Sequence, residues 1–123
     1  MIGYVTIGTN DLGRAIQFYD ELLAIIGIKR LWLHDTMAAW GPSRQHSVLC
    51  VTTPFDDNAA TVGNGVMIAL KVDNREQVSA IHEKAVELGG HSEGEPGPRG
   101  EHGFYGGYFR DLDGNKINAY IPG

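Results

Sequence analysis

Apolar and polar residues alternate through Ile2 to Gly8: Val5 and Ile7 fall on one side, Tyr4 and Thr6 on the other, the two-residue period of a strand. The period then lengthens. Leu12, Ala15, Ile16, Tyr19, Leu22, Leu23 and Ile26 recur at helical spacing, with Asn10-Asp11 supplying an N-cap and Gly27 a C′ glycine. Three strands follow, over Ile28–His34, Met37–Gly41 and Ser47–Thr53, and Pro54–Asn64 has the composition of a linker. The plan then repeats. Gly65–Val72 is a strand, Asp73-Asn74 a cap with Gln77 at capping-box spacing, and Val78, Ile81, Ala85 and Leu88 one helix face that Gly89-Gly90 ends. His82, beside Ile81, is expected at the surface or boundary. A weak strand at His91–Gly94, a loop over Glu95–Gly103, the strand Phe104–Arg110, a turn over Asp111–Asn115 and the strand Lys116–Ile121 complete the chain.

Asn74 lies 63 positions after Asp11, and Gly90 lies 63 after Gly27, so the halves are in register as an internal repeat. The predicted fold class is α+β, with two βαβββ modules, about 1–60 and about 64–123, in one domain whose curled mixed sheets surround a cleft. Parity sorts the strand faces. Val66, Ile68, Leu70, Val72, Phe109, Ile117, Ala119 and Ile121 point toward the helices. Tyr4, Met67, Tyr108, Arg110, Asn118 and Tyr120 point the other way. Aromatic surface with a few hydrogen-bonding groups suits a small-molecule pocket. The same mixture also suits an exposed sheet face or a subunit interface.

With 123 residues the chain fits one domain, and its net charge of −5 with scattered Lys and Arg argues against a nucleic-acid surface or a polybasic membrane anchor. The longest apolar stretches fall short of a membrane span, and no signal peptide opens the chain, so a cytoplasmic location is expected. A single cysteine, Cys50, excludes an internal disulfide and a Cys-paired zinc site, and its apolar neighbours predict a buried thiol. Asp111–Asn115 has the wrong glycine spacing for an EF-hand and suits a hairpin turn. No phosphate loop, nucleophile elbow or CxxC is present.

Several residues resemble those of one family. The opening Tyr4–Leu12, Phe18-Tyr19 in the first helix, Gly63-Asn64-Gly65, and above all Tyr108-Phe109-Arg110-Asp111-Leu112-Asp113-Gly114-Asn115-Lys116-Ile117 resemble the vicinal oxygen chelate superfamily. That superfamily includes glyoxalase I, extradiol dioxygenases and bleomycin- or fosfomycin-resistance proteins. The resemblance implies metal ligands at four positions, but Tyr4 and Met67 stand where histidines are usual, and Asn118 where a Glu is usual. The fourth position falls near Leu49 to Val51, which hold no carboxylate or imidazole. Neutral phenol, thioether and amide are poor ligands for a hard divalent cation. No metal and no cofactor are therefore expected.

The leading expectation is metal-independent binding of a small organic molecule, of resistance-protein or sequestering type, by a homodimer. The alternative is a glyoxalase-related lyase or isomerase with a non-standard site, using His102 or Tyr108. A vestigial pocket is a third reading. The ligand-binding candidates are Tyr4, Trp32, Trp40, Met67, Tyr108, Arg110, Asn118 and Tyr120. Trp32 and Trp40 suit core or interface roles as well as stacking on a planar ligand. Arg99 and Arg110 are candidates to pair with an anionic substrate. Among five histidines (His34, His46, His82, His91 and His102), His102 stands out by its Gly-rich loop, where a solvated loop histidine is the more ordinary reading.

Overall fold

The computed structural model describes residues 1–123, which divide into two compact units, Met1–Val62 and Gly63–Gly123. The first unit runs β1 (Tyr4–Gly8), α1 (Leu12–Ala24), β2 (Lys29–Leu33), β3 (Met37–Gly41) and β4 (Val48–Thr52). The second runs β5 (Ile68–Lys71), α2 (Arg75–Glu87), β6 (His91–Pro98), β7 (Tyr105–Arg110) and β8 (Lys116–Ile121). Each holds a four-stranded mixed sheet, ordered β1-β4-β3-β2 and β5-β8-β7-β6. In both, the strand before the helix pairs parallel with the last strand, and the rest are antiparallel. The chain is therefore α+β and built of two βαβββ modules.

The repeat extends to the helix ends, since Arg75 and Glu87 lie 63 positions after Leu12 and Ala24. The caps correspond too. Asp11 accepts from the Arg14 amide and Asn74 from the Gln77 amide, each satisfying an otherwise orphaned helix N–H. The closing glycines do not follow the offset. Gly27 and Gly89 take the left-handed conformation, at φ 72° and 104°, whereas Gly90 is constrained by space: a Cβ there would sit 2.5 Å from the Arg110 carbonyl oxygen.

Strand pairing carries the helix-facing residues across each sheet in rows. Val5, Leu49 and Trp40 are aligned in the first unit, as are Ile7, Val51 and Ala38. Phe18, Tyr19, Leu22 and Leu23 of α1 are buried with them, and Tyr19 lies 5.5 Å from the Trp40 ring centre. In the second unit Ile68, Ile117 and Phe109 are aligned, beside the buried Val78, Ile81, His82 and Ala85 of α2. His82 is thus in the core, not at the surface or boundary as expected, because it lies on the same stripe as Val78, Ile81 and Ala85. Its polar edge is accommodated by Ser92, whose Oγ lies 2.9 Å from Nε2.

Two expected strand boundaries are corrected. β5 begins at Ile68, because Gly65 (φ 93°) and a hydrogen bond from the Val66 amide to the Gly63 carbonyl form a turn that leaves Val66 exposed. β6 continues to Pro98 through the segment expected as a loop. It is an edge strand with register shifts between Ser92 and Gly94 and between Gly94 and Gly97, where prolines and bulges are tolerated.

Candidate functional site

On the face of the second sheet away from α2, pairing aligns Ala69, Asn118 and Tyr108, with Lys71, Tyr120 and Gly106 in the next row on that face. Asn118 is only 1% exposed. Its Nδ2 donates to the Gly107 and Ala119 carbonyls at 3.4 and 3.2 Å. Gly106 makes room for it, since a Cβ there would meet Asn118 Nδ2 and the Phe104 ring, both at 3.0 Å. Phe104 stacks on Tyr120, with ring centres 5.3 Å apart and an interplanar angle of 11°. Asn118 is therefore a packed residue rather than the solvent-lapped amide that strand parity alone suggests. Tyr108, half-buried, has the Arg99 guanidinium 5.4 Å and the Lys116 ammonium 5.7 Å from its ring centre, so cations flank its π-face. Met67 sits just before β5 and is exposed.

Arg110 shares the Tyr108 face by parity but is engaged within the protein. Its Nε donates to Glu93 at 2.5 Å and its Nη1 to the Gly114 carbonyl at 3.0 Å, tying β6 to the β7–β8 turn. That hydrogen bond and the guanidinium charge hold the Glu93 carboxyl below its ordinary value, with Lys116 and His91 adding smaller contributions. A depressed folded-state pKa contributes stability that is present above the unfolded value and is lost as pH falls through the folded one. Arg110→Gln is accordingly expected to move the Glu93 titration midpoint upward. Carboxyl carbon NMR reads this directly, and an unmoved midpoint would show that the ion pair does not form.

In the first unit, Tyr4 and Trp32 lie on the face away from α1, with Tyr4 69% exposed and Trp32 packed on the cluster of Ala39, Val48 and Cys50. Trp40 does not join them. It is 1% exposed, its indole N–H donates to Asp20 Oδ1 at 2.9 Å, and it offers a ligand no free ring face. The ligand-binding role expected of Trp40 is thereby corrected to a core role, because residue 40 shares parity with Ala38 beneath α1. A cleft of about 640 Å³ opens beside Tyr4 and Trp32, lined also by Arg44, His46, Ser47 and Val48.

The repeat gives Cys50 a meaning missed in the sequence. Thr6 pairs with Cys50 as Ala69, its counterpart 63 positions on, pairs with Asn118. Cys50 is thus the first-unit equivalent of Asn118, as Tyr4 is of Met67. Burial holds the Cys50 thiol above its ordinary pKa, so it is a protonated, weakly polar side chain. Arg44 was also missed, for it lies in a loop where neither period applies. Of the two catalytic candidates, Tyr108 occupies the central row, whereas His102 lies on the exposed loop after β6.

Residues 1–119 match the Glyoxalase/Bleomycin resistance protein/Dioxygenase superfamily. No curated protein matches the chain. Among solved structures, a glyoxalase/bleomycin resistance protein from Albidiferax ferrireducens T118 is 34% identical, with 100% of this chain and 99% of that one covered and a TM-score of 0.91. Hypothetical protein SA1046 from S. aureus is 26% identical over 99% of this chain and 93% of its own, with a TM-score of 0.73. A glyoxalase I mutant from Zea mays shares the fold at 23% identity and a TM-score of 0.69, with 96% of this chain and 44% of that one covered. The aligned rows, the doubled βαβββ plan and these matches agree: the chain belongs to the glyoxalase/bleomycin resistance protein/dioxygenase superfamily.

Proposed function

We propose that the chain is a metal-independent binder of a small organic molecule, which it holds on the sheet faces away from the helices. The observation that carries this reading is the donor set at the four repeat-related positions: Tyr4, Cys50, Met67 and Asn118. A phenol, a buried protonated thiol, a thioether and a packed amide do not suit a hard divalent cation, which takes charged or carbonyl oxygens. No three His, Cys, Asp or Glu side chains converge elsewhere in a group that could hold a metal. Within the first unit Trp32, and within the second Tyr108, Tyr120 and Phe104, supply flat apolar surface on the same sheet faces, with a few polar groups to orient a ligand. We further infer a homodimer acting in the cytoplasm as one two-module domain, with no nucleic-acid or membrane partner. No helix is long and apolar enough to cross a membrane.

Native mass spectrometry of the purified chain with a small-molecule library tests these points together. The expected result is a dimer that carries no stoichiometric metal and retains one library compound per chain. About one equivalent of zinc, nickel, manganese or iron per chain would overturn the metal-independent reading. Retention that leads to turnover in the presence of chelator would replace binding with a lyase or isomerase activity.

A further inference from the structure

The geometry points to a flat aromatic anion, an arene carboxylate, as the ligand class of the first-unit cleft, with the Trp32 indole stacking on its ring and Arg44 pairing with its carboxylate. This deepens the binding reading above and rests on it. The sign of the ligand's charge follows from the lining. The chain carries 15 acidic against 10 basic residues, yet no carboxylate lines this cleft, and its charged side chain is Arg44. The guanidinium lies 5.0 Å from the Trp32 ring centre, held by a cation–π contact with no acidic partner. Its planar fork of N–H donors matches a carboxylate bidentately, and a cationic ligand would meet a like charge at that place.

The shape and stiffness of the site point the same way. A volume of about 640 Å³ falls within the range of small-ligand clefts. Trp32 is half-buried against Ala39, Val48 and Cys50, which fixes the plane of its indole. The loop bearing Arg44 is braced on both sides. Ser43 Oγ accepts from the Gln45 amide at 3.2 Å and lies 2.7 Å from His46 Nδ1, and Ser47 Oγ donates to the Ile2 carbonyl at 2.8 Å. A ligand ring would take the place that the Arg44 guanidinium holds over Trp32, and the guanidinium would turn from the indole to the carboxylate, both groups being already at the cleft.

Calorimetry with three flat probes of similar size tests the assignment: 2-naphthoate, the neutral 2-naphthamide and the cationic N-methylquinolinium. Wild type is expected to bind 2-naphthoate about tenfold or more tightly than 2-naphthamide, as a charge-assisted pair would give, and N-methylquinolinium most weakly. Arg44→Gln, at an exposed loop position, should erase the preference for the anion, bringing 2-naphthoate down to about the affinity of 2-naphthamide. Trp32→Ala should weaken both. Equal affinity for naphthoate and naphthamide, preference for the cation, no binding of naphthoate, or naphthoate binding indifferent to Arg44→Gln would each overturn the inference. The binding reading is judged separately. A library compound retained in native mass spectrometry and lost in Tyr108→Ala leaves it standing whatever happens at Arg44.

Discussion

Phe109→Ala is expected to destabilise the protein by about 3–5 kcal/mol, through lost apolar burial and the cavity left in a close-packed sheet–helix layer. Phe109 is fully buried, aligned between Ser92 and Ile117, with its ring edge-on to His82 at 6.4 Å. No neighbour on β7 can move in, because Gly107 lies on the same face and carries no side chain. Its neighbour in sequence gives the contrast. Tyr108 points to the opposite face, where Arg99 and Lys116 flank a half-buried ring, so Tyr108→Ala should cost nearer ~1 kcal/mol while weakening a retained ligand. Urea denaturation of both variants, with binding measured alongside, checks the pair. A benign Phe109→Ala beside an unfolded Tyr108→Ala would turn the strand over and remove the proposed binding face.

The same two residues show how far the sequence could be read. Periodicity separates Phe109 from Tyr108 because a strand offers two faces and one must be apolar. For the same reason the doubled plan of strand, cap and helix was legible, down to Asp11 and Asn74. Periodicity does not report how deeply a residue on the non-helical face is packed. Asn118 has the parity of a ligand-facing group, yet Phe104, from just before β7, stacks with Tyr120 beside it, and Gly106 leaves the space it fills. Trp40 was ambiguous because either face of β3 can hold a large ring, and the deciding partner, Asp20, lies on α1. Arg110 read as a free cation since Glu93 sits on an edge strand whose bulges break the two-residue count. Arg44 gave no signal at all: loop residues follow no period, and its relation to Trp32 exists only once the strands have paired.

The turn that most strongly marked the family yields the second large effect. Asp111 is buried, and its carboxylate accepts hydrogen bonds at both oxygens: Oδ1 from the Asp113 and Asn115 amides at 2.9 Å each, and Oδ2 from Asn115 Nδ2 at 3.0 Å. The backbone closes the same loop, with the Asp111 amide donating to the Asn115 carbonyl and Gly114 (φ 89°) supplying a conformation that side chains disfavour. Asp111→Ala removes the acceptor and leaves the buried Asn115 donors without it. Bonds to a charged acceptor contribute about 1.5–3 kcal/mol each but are not additive, so a total loss of about 3 kcal/mol is expected. Asp111→Asn keeps Oδ1 for the two amides but turns an NH₂ group toward Asn115 Nδ2, which places its cost between wild type and Ala. Thermal or urea unfolding of the two variants orders them. Equal midpoints for Asp111→Ala and wild type would mean that the turn is held by its backbone and Gly114 alone. The Asp111-Leu112-Asp113-Gly114-Asn115 motif would then mark the family without stabilising it.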